Sequence, residues 1–152
     1  VVRAFDGRGP ATRLTELVLA EMHLATPSDL IHAIYDRGLQ RPLLAGLAAV
    51  VQAAMLAGDA VASDILARAA EELVGAAASV VTRLGMRGDV FPTILAGGIF
   101  RAMPALSADV CQRMAEVAPR SEVRSLDVEP ARGAVTLALA AARGTLLLPS
   151  YI

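Results

Sequence analysis

Cysteine, lysine and aromatic residues are scarce or absent in this chain of 152 residues. The one cysteine, Cys111, excludes an internal disulfide and a metal site built only from cysteines. It lies on a predicted amphipathic helix, where we expect it to pack as a small hydrophobic residue. Aromatic residues make up 3% of the chain, yet 55% of it is hydrophobic and alanine dominates. The chain is therefore too apolar to be disordered, and small side chains must build its core.

An excess of charge of one sign is also missing. The net charge is −1, all fourteen basic residues are arginines, and no run of like charges occurs. The sequence lacks the basic footprint of a nucleic-acid-binding protein, so we expect no nucleic-acid partner. Charged residues interrupt the longest apolar runs, so we predict no membrane span. These residues are Asp59, Asp64, Glu71, Glu72 and Arg83.

The first residues contain neither a secretory signal nor an initiating methionine. Without a signal, the cytoplasm is the expected location. Because the sequence begins with Val1 and Val2, we expect a fragment or a processed product. Its length fits one domain or part of one.

The first part of the chain has the pattern of consecutive helices. Glycines and a proline at 6–10 predict a loop, after which Thr12 is a candidate helix cap. Thr26 and Pro27 are typical of the cap and first position of a second helix, which we expect to end near Gly38. A third helix is predicted from about Pro42 to Leu56. The apolar positions predicted for the first two helices are Leu14, Leu17, Val18, Met22, Leu30, Ile31, Ile34 and Tyr35.

A fourth, longer helix is predicted from Asp59 to about Gly85. Asp59 is a favourable N-cap residue. Gly75 in the interior costs about 1 kcal/mol relative to alanine, and such a glycine indicates a close crossing with another element. The apolar positions predicted for this helix are Ile65, Leu66, Ala69, Leu73, Ala77, Val80, Val81 and Leu84.

The remaining chain alternates strands and helices. The apolar run 90–96 predicts a buried strand, with Pro92 tolerated near its start. A helix follows at 103–117, and 122–128 alternates polar and apolar residues, as in a half-buried or edge strand. Pro130 opens a last helix. The apolar positions predicted for the helix at 103–117 are Leu106, Val110, Met114 and Val117.

This order of elements predicts an α/β fold. A strand, a helix and a second strand imply parallel strands with a right-handed crossover. Two strands alone would expose unpaired backbone at their edges, so we expect partner strands upstream or in another chain. The last helix is expected to end near Ala142, and the apolar tail at 146–149 is expected to dock on the body.

A glycine pair follows the predicted buried strand. Because Gly97 and Gly98 lack a Cβ, a ligand can approach their backbone closely. Ligands of open α/β sheets bind at the carboxyl ends of strands. The residues alone leave two interpretations open, a ligand-binding turn and a plain tight turn.

Other polar residues are weaker candidates. His23 and His32 lie on separate predicted helices without metal-ligand spacing, so we predict no metal site. Arg8 and Arg101 are expected on the surface, with a place beside a cleft as the alternative. Gly133 is expected at a close packing contact. The carboxylates expected to be caps or surface charges are Asp6, Asp59, Asp109, Glu71 and Glu72.

Four stretches follow one another along the chain: FDGRGP with LTE, AGD, ILAGGIF, and residues 122–135. In this order they resemble the BadF/BadG/BcrA/BcrD-type ATPase family, and within it the N-acetylglucosamine kinases. FDGRGP followed by LTE looks like the segment after the family's sugar-side glycine motif. AGD looks like the start of its long helix, although Ala60 replaces the usual proline. ILAGGIF looks like its adenosine motif, and the last stretch like its final strand and glycine-led helix. The stretches are 5–10 with 14–16, 57–59, 94–100 and 122–135.

The resemblance implies the actin-like ATPase fold, which is ribonuclease H-like. The whole chain, 1–152, would be its helix-rich C-terminal lobe with an incomplete sheet. Within it, 1–88 would be mainly helical and 89–145 would be a strand–helix–strand–helix nucleotide-binding part. The nucleotide-binding residues implied, at the adenosine end of ATP, are Ala96, Gly97, Gly98 and Ile99.

The implied activity is transfer of the ATP γ-phosphate to a hydroxyl of an amino sugar. The two glycine-rich hairpins and the catalytic aspartate of that fold have no counterpart in this sequence, so we assign no catalytic residue to it. We expect Mg²⁺ to be held mainly by the missing N-terminal part. The expected partners are a nucleotide, an amino sugar and a second copy in a homodimer, with no membrane.

Two alternatives stay open. The first is an ATPase that activates a dehydratase or reductase and binds an iron–sulfur cluster through cysteines, which a lone Cys111 fits poorly. The second is a non-catalytic helical interaction module. An upstream phosphate-gripping motif in the gene would favour the kinase over the module.

Overall fold

The computed structural model describes residues 1–37 and 41–146. The predicted helix end near Gly38 and most of the apolar tail lie outside these ranges. A 3₁₀ turn, Met86–Gly88, follows the longest helix. The other elements are α1 (Val2–Phe5), α2 (Leu14–Glu21), α3 (Pro27–Arg37), α4 (Arg41–Leu56), α5 (Ala60–Arg83), β1 (Pro92–Leu95), α6 (Gly98–Ala102), α7 (Pro104–Val117), β2 (Glu122–Ser125) and α8 (Pro130–Ala142).

The two strands form a parallel sheet in which Thr93 lies opposite Val123. The connection between them runs through α6 and α7, so the predicted parallel strand–helix–strand unit is confirmed. Pro92 holds the first position of β1, where its missing N–H disturbs the ladder least. The short helix α6 was not predicted, and Pro104 at the first position of α7 separates the two helices.

Local side-chain caps begin two of the helices at the predicted residues. Asp59 Oδ1 accepts a 2.9 Å hydrogen bond from the backbone N–H of Ala62, which confirms Asp59 as the N-cap of α5. At α3, the Asp29 N–H donates to Thr26 Oγ1 at 3.3 Å, and the Thr26 N–H donates to Asp29 Oδ2 at 2.8 Å. This reciprocal cap places Pro27 at the first helical position, as expected.

The first hydrophobic cluster lies between α5, α7 and β1. The predicted stripe of Leu106, Val110 and Met114 on α7 is buried there, against Ala70 and its neighbours on α5. Burying each large apolar side chain contributes about 1.5–3 kcal/mol to stability. Cys111 is partly buried against the same cluster, as expected for a small hydrophobic residue.

A second cluster gathers α2, α3, α4 and the start of α5. Val51 and Met55 of α4 pack against both clusters and so join them into one continuous core. The helix α4 is therefore central to the packing of the described chain. The buried members of the second cluster are Leu14, Val18, Leu30, Val50, Ala54 and Ala62.

The buried face of α5 differs from the predicted one. Ala70 and Val74 are buried although they were not predicted, whereas Val80 is 55% exposed. The helix is 24 residues long and packs against both α4 and α7, so its buried line follows these two neighbours rather than one straight stripe. The predicted positions that are exposed are Ile65, Leu73 and Val80 on α5 and Leu84 directly after it.

Gly75 and Gly133 were both predicted at close contacts. A Cβ built on either glycine would meet no atom of the described residues within 4 Å. Both predictions are therefore wrong for the part of the chain that is described. At α5 the reason is that neighbouring elements pack on the side of Val74, and Gly75 is exposed.

The sheet is buried on one face only. Leu95 is 7% exposed in the first cluster, whereas Ile94, on the opposite face of the strand, is 47% exposed. The prediction that this strand is buried is thus wrong for the face of Ile94, because the described helices cover only the face of Leu95. Further predicted apolar positions that are exposed are Leu17, Ile31 and Tyr35.

Candidate functional site

The glycine turn lies at the carboxyl end of β1, where the strand leads into α6. β1 ends at Leu95 and α6 begins at Gly98. Gly97 between them has a φ of +123° and a ψ of 156°, backbone angles that residues with a Cβ rarely adopt. Ala96 and Ile99 flank the glycines, and all four residues are exposed.

Gly98 has no such backbone requirement. Its φ lies outside the positive region in which Gly97 is found. A Cβ on Gly98 would meet no atom of the described residues within 4 Å. Packing within the described chain therefore leaves this side of the turn open to a ligand.

A cleft of about 580 Å³ opens beside the turn, between α4 and α6; we call it the α4–α6 cleft. This volume lies within the range of small-molecule pockets, about 300–1,000 Å³. Its walls are apolar apart from Gln52. The lining residues are Ala48, Ala49, Gln52, Ala53, Leu56, Gly98, Ile99, Ala102 and Met103. Two of the four residues predicted to bind nucleotide, Gly98 and Ile99, thus belong to the cleft.

The α4 side of the cleft was missed by sequence reasoning. Its five residues lie on one face of the helix, far earlier in the chain than the glycine turn. The available signal was a face of small apolar residues distinct from the face of Val50 and Ala54, which packs into the second cluster.

The remaining charged candidates lie away from the cleft. Arg101 is exposed on α6 and does not line the cleft. Arg8 is a surface residue, as expected, and pairs with Asp6 Oδ2 at 2.5 Å. The hydrogen bond from Arg8 holds the pKa of the Asp6 carboxyl below its ordinary value. His32 Nδ1 lies 3.0 Å from the carbonyl oxygen of Ser28.

Neither a metal centre nor a membrane-crossing helix is found in the ranges 1–37 and 41–146. No group of three or more histidine, cysteine, aspartate or glutamate side chains there could hold a metal ion. No helix there is both long enough and apolar enough to cross a membrane.

The buried carboxylate of Asp59 is satisfied by the protein itself. Its Oδ2 accepts hydrogen bonds from the Arg13 N–H at 2.7 Å and from Thr12 Oγ1 at 2.9 Å, while its Oδ1 accepts the bond from Ala62. These hydrogen bonds hold the pKa of Asp59 below its ordinary value, and the bond from the Ala62 N–H has the largest effect. Arg13 rather than Thr12 holds the cap position of α2, although Thr12 Oγ1 accepts from the Leu14 N–H at 3.1 Å. The cap role expected for Asp59 is confirmed.

Helices packed on a small parallel sheet make this a helix-rich α/β protein, consistent with the actin-like ATPase fold. Residues 1–138 match the sequence profile of the BadF/BadG/BcrA/BcrD ATPase family. The chain belongs to that family, and the resemblance noted in its sequence is confirmed.

Two relatives are similar over most of this chain. The N-acetyl-D-glucosamine kinase of Dictyostelium discoideum is 31% identical over 141 residues, which cover 91% of this chain and 44% of that protein. The N-acetylmuramic acid/N-acetylglucosamine kinase of Clostridium acetobutylicum is 31% identical over 137 residues, covering 90% and 45%. The chain therefore spans less than half the length of these relatives.

Proposed function

We propose that this chain forms the adenosine side of the ATP site in an amino-sugar kinase. One observation carries the proposal: the glycine turn at the end of a parallel strand opens onto an apolar cleft that Gly98 itself lines. Membership of an ATPase family and similarity to two N-acetylglucosamine kinases support it. The reaction proposed is transfer of the ATP γ-phosphate to a sugar hydroxyl.

The nucleotide contacts belong to Ala96, Gly97, Gly98 and Ile99. Ligands of α/β sheets bind outside the carboxyl ends of the strands, which is where this turn lies. A backbone without Cβ atoms can meet a ribose closely. The α4–α6 cleft suits the base, because the apolar faces of a planar ring leave water when they enter it.

The phosphates and the sugar are held elsewhere in the full-length protein. Phosphoryl transfer needs a positioned acceptor hydroxyl and neutralisation of charge around the γ-phosphate. Asp59 is committed to three hydrogen bonds within the protein, so it is unsuited to act as the base. We therefore assign neither the catalytic base nor a Mg²⁺ ligand to this chain. The chain covers only 44% and 45% of the two kinases, which supports an active site that this chain shares with another part of a longer protein.

The chain is proposed to be a C-terminal lobe, 1–152, with a mainly helical part, 1–88, and a nucleotide-binding part, 89–145. The α4–α6 cleft extends the nucleotide site into the helical part, since five of its lining residues lie on α4. A cytoplasmic location and a homodimer belong to the same proposal.

The test is an assay of ADP release by the full-length protein with ATP, Mg²⁺ and N-acetylglucosamine. We expect ADP release that depends on the amino sugar, with the sugar phosphate detected by mass spectrometry. Glucose is the control acceptor, because it lacks the N-acetylated amino group. ADP release that no sugar stimulates would overturn the kinase and favour the ATPase activator instead.

A further inference from the structure

We infer that Gln52 recognises the base of the bound nucleotide through the 6-amino group of adenine. The inference rests on the proposed function, because it assigns a role within the same cleft. Gln52 lies on α4 and lines the same cleft as Gly98 and Ile99 of the glycine turn.

Gln52 is the polar exception in an apolar cleft. The other described lining residues are alanine, leucine, glycine, isoleucine or methionine. Ala48, Ala49 and Ala53 are its neighbours on the same wall. Among these methyl groups, the amide of Gln52 is the one group of this part of α4 that can form a directional bond with a ligand.

No described residue occupies the amide of Gln52. Gln52 is half-buried, and its side chain has no hydrogen bond to any residue that the structure describes. Its amide atoms reach the solvent of the open cleft, because no fully buried side-chain nitrogen or oxygen of the described residues lacks a partner. The amide is therefore free to exchange water for a ligand that enters the cleft.

The amide and the 6-amino edge of adenine are chemically complementary. A glutamine side chain offers one oxygen acceptor and two N–H donors. Adenine places its amino donor beside a ring-nitrogen acceptor, so a glutamine can form two hydrogen bonds with it at once. A purine without the amino group can form only one of them. A preference for adenine over a purine without the amino group is therefore the effect expected specifically from Gln52.

The experiment compares ADP with purine riboside 5′-diphosphate, which lacks only the 6-amino group, by isothermal titration of the full-length protein. We expect the wild type to bind ADP about tenfold more tightly than the analogue. Gln52→Leu replaces the amide with an apolar side chain of similar size. It should weaken ADP binding by more than about tenfold, because both hydrogen bonds are lost, and bind the two diphosphates equally. Gln112→Leu, at an exposed position of α7 outside the cleft, is the control that should keep the wild-type preference.

The outcomes separate the inference from the proposed function. A folded wild type that binds neither diphosphate overturns both. A wild type that binds ADP, together with a Gln52→Leu protein that retains its preference for ADP, overturns the role of Gln52 and leaves the nucleotide site in place. If Gln52→Leu does not fold by circular dichroism, Gln52→Glu replaces it. Its carboxylate accepts from the amino group but cannot donate to the ring nitrogen, so unchanged ADP affinity in that variant also overturns the inference.

Discussion

The carboxylate of Asp59 accepts a 2.7 Å hydrogen bond from the backbone N–H of Arg13, across 46 positions of the chain. The same carboxylate caps α5 through the N–H of Ala62. Hydrogen bonds to an ionised acceptor are stronger than neutral ones. A single buried side chain thus links the start of α2 to the start of α5.

Replacing Asp59 should therefore destabilise the protein more than replacing an exposed carboxylate of the same helix. We expect Asp59→Ala to lower the Tm by roughly 5 °C, because it leaves the helix N–H groups without their acceptor. Asp64→Ala is the matched control. Asp64 is exposed, and its carboxylate lies 3.9 Å from the guanidinium of Arg68. Removing this surface carboxylate should shift the Tm by less than about 2 °C. Equal losses in thermal melts of the two variants would contradict the link between α2 and α5.

The same carboxylate should make stability depend on pH in the acid range. The folded pKa of Asp59 is below its ordinary value of 3.8. Its contribution is therefore present above the unfolded pKa and is lost as the pH falls through the folded pKa. Thermal melts from neutral pH to below 3.8 should show a steeper loss for the wild type than for Asp59→Asn, which has no charge to lose. The pKa values of Asp6 and Asp29 are also lowered, but both groups titrate in both proteins. Parallel curves of Tm against pH for the two proteins would show that Asp59 does not contribute to the pH dependence of stability.

The glycine turn can be tested without disturbing the backbone, because Gly98 lies outside the positive-φ region and has open space beside it. We expect Gly98→Val to raise the KM for ATP by about tenfold in the full-length enzyme, with little change in the KM for the sugar. Gly133→Val, at another open glycine in a helix, is the control and should leave both constants unchanged. Gly97→Val is unsuitable, because its φ of +123° would strain any side chain. An unchanged KM for ATP in a folded Gly98→Val enzyme would contradict the nucleotide-binding role and show that this is a tight turn without a ligand.

The isolated chain should be catalytically inactive. Expressed alone as 1–152, it is expected to show no sugar-dependent ATP turnover, because we assign to it neither the phosphate-gripping loops nor the base. It should also be prone to aggregate, since apolar residues of the sheet and of α8 are exposed, among them Ile94, Val135, Leu137 and Leu139. Phosphorylation of N-acetylglucosamine by the purified chain would contradict this expectation. Gel filtration and the coupled ADP assay measure the two properties.

Local signals in the sequence determined where several helices begin. Asp59 is the N-cap of α5, Thr26 with Pro27 begins α3, and Pro130 begins α8, all as predicted. Caps and prolines act through backbone groups within a few residues, so their effect can be inferred from the sequence alone. The same holds for the parallel strand–helix–strand order, which follows from the succession of apolar runs.

Only the tertiary structure decided which apolar faces are covered. Val80 and Ile94 belong to apolar patterns as regular as those of buried residues, yet both are exposed. An apolar pattern predicts a face that can be buried, whereas burial depends on which distant elements pack against it. The α4–α6 cleft has the same origin. Its walls come from two helices far apart in the chain, so Gly98 was recognisable in the sequence from its own turn, but Gln52 became a candidate only when packing brought α4 beside it.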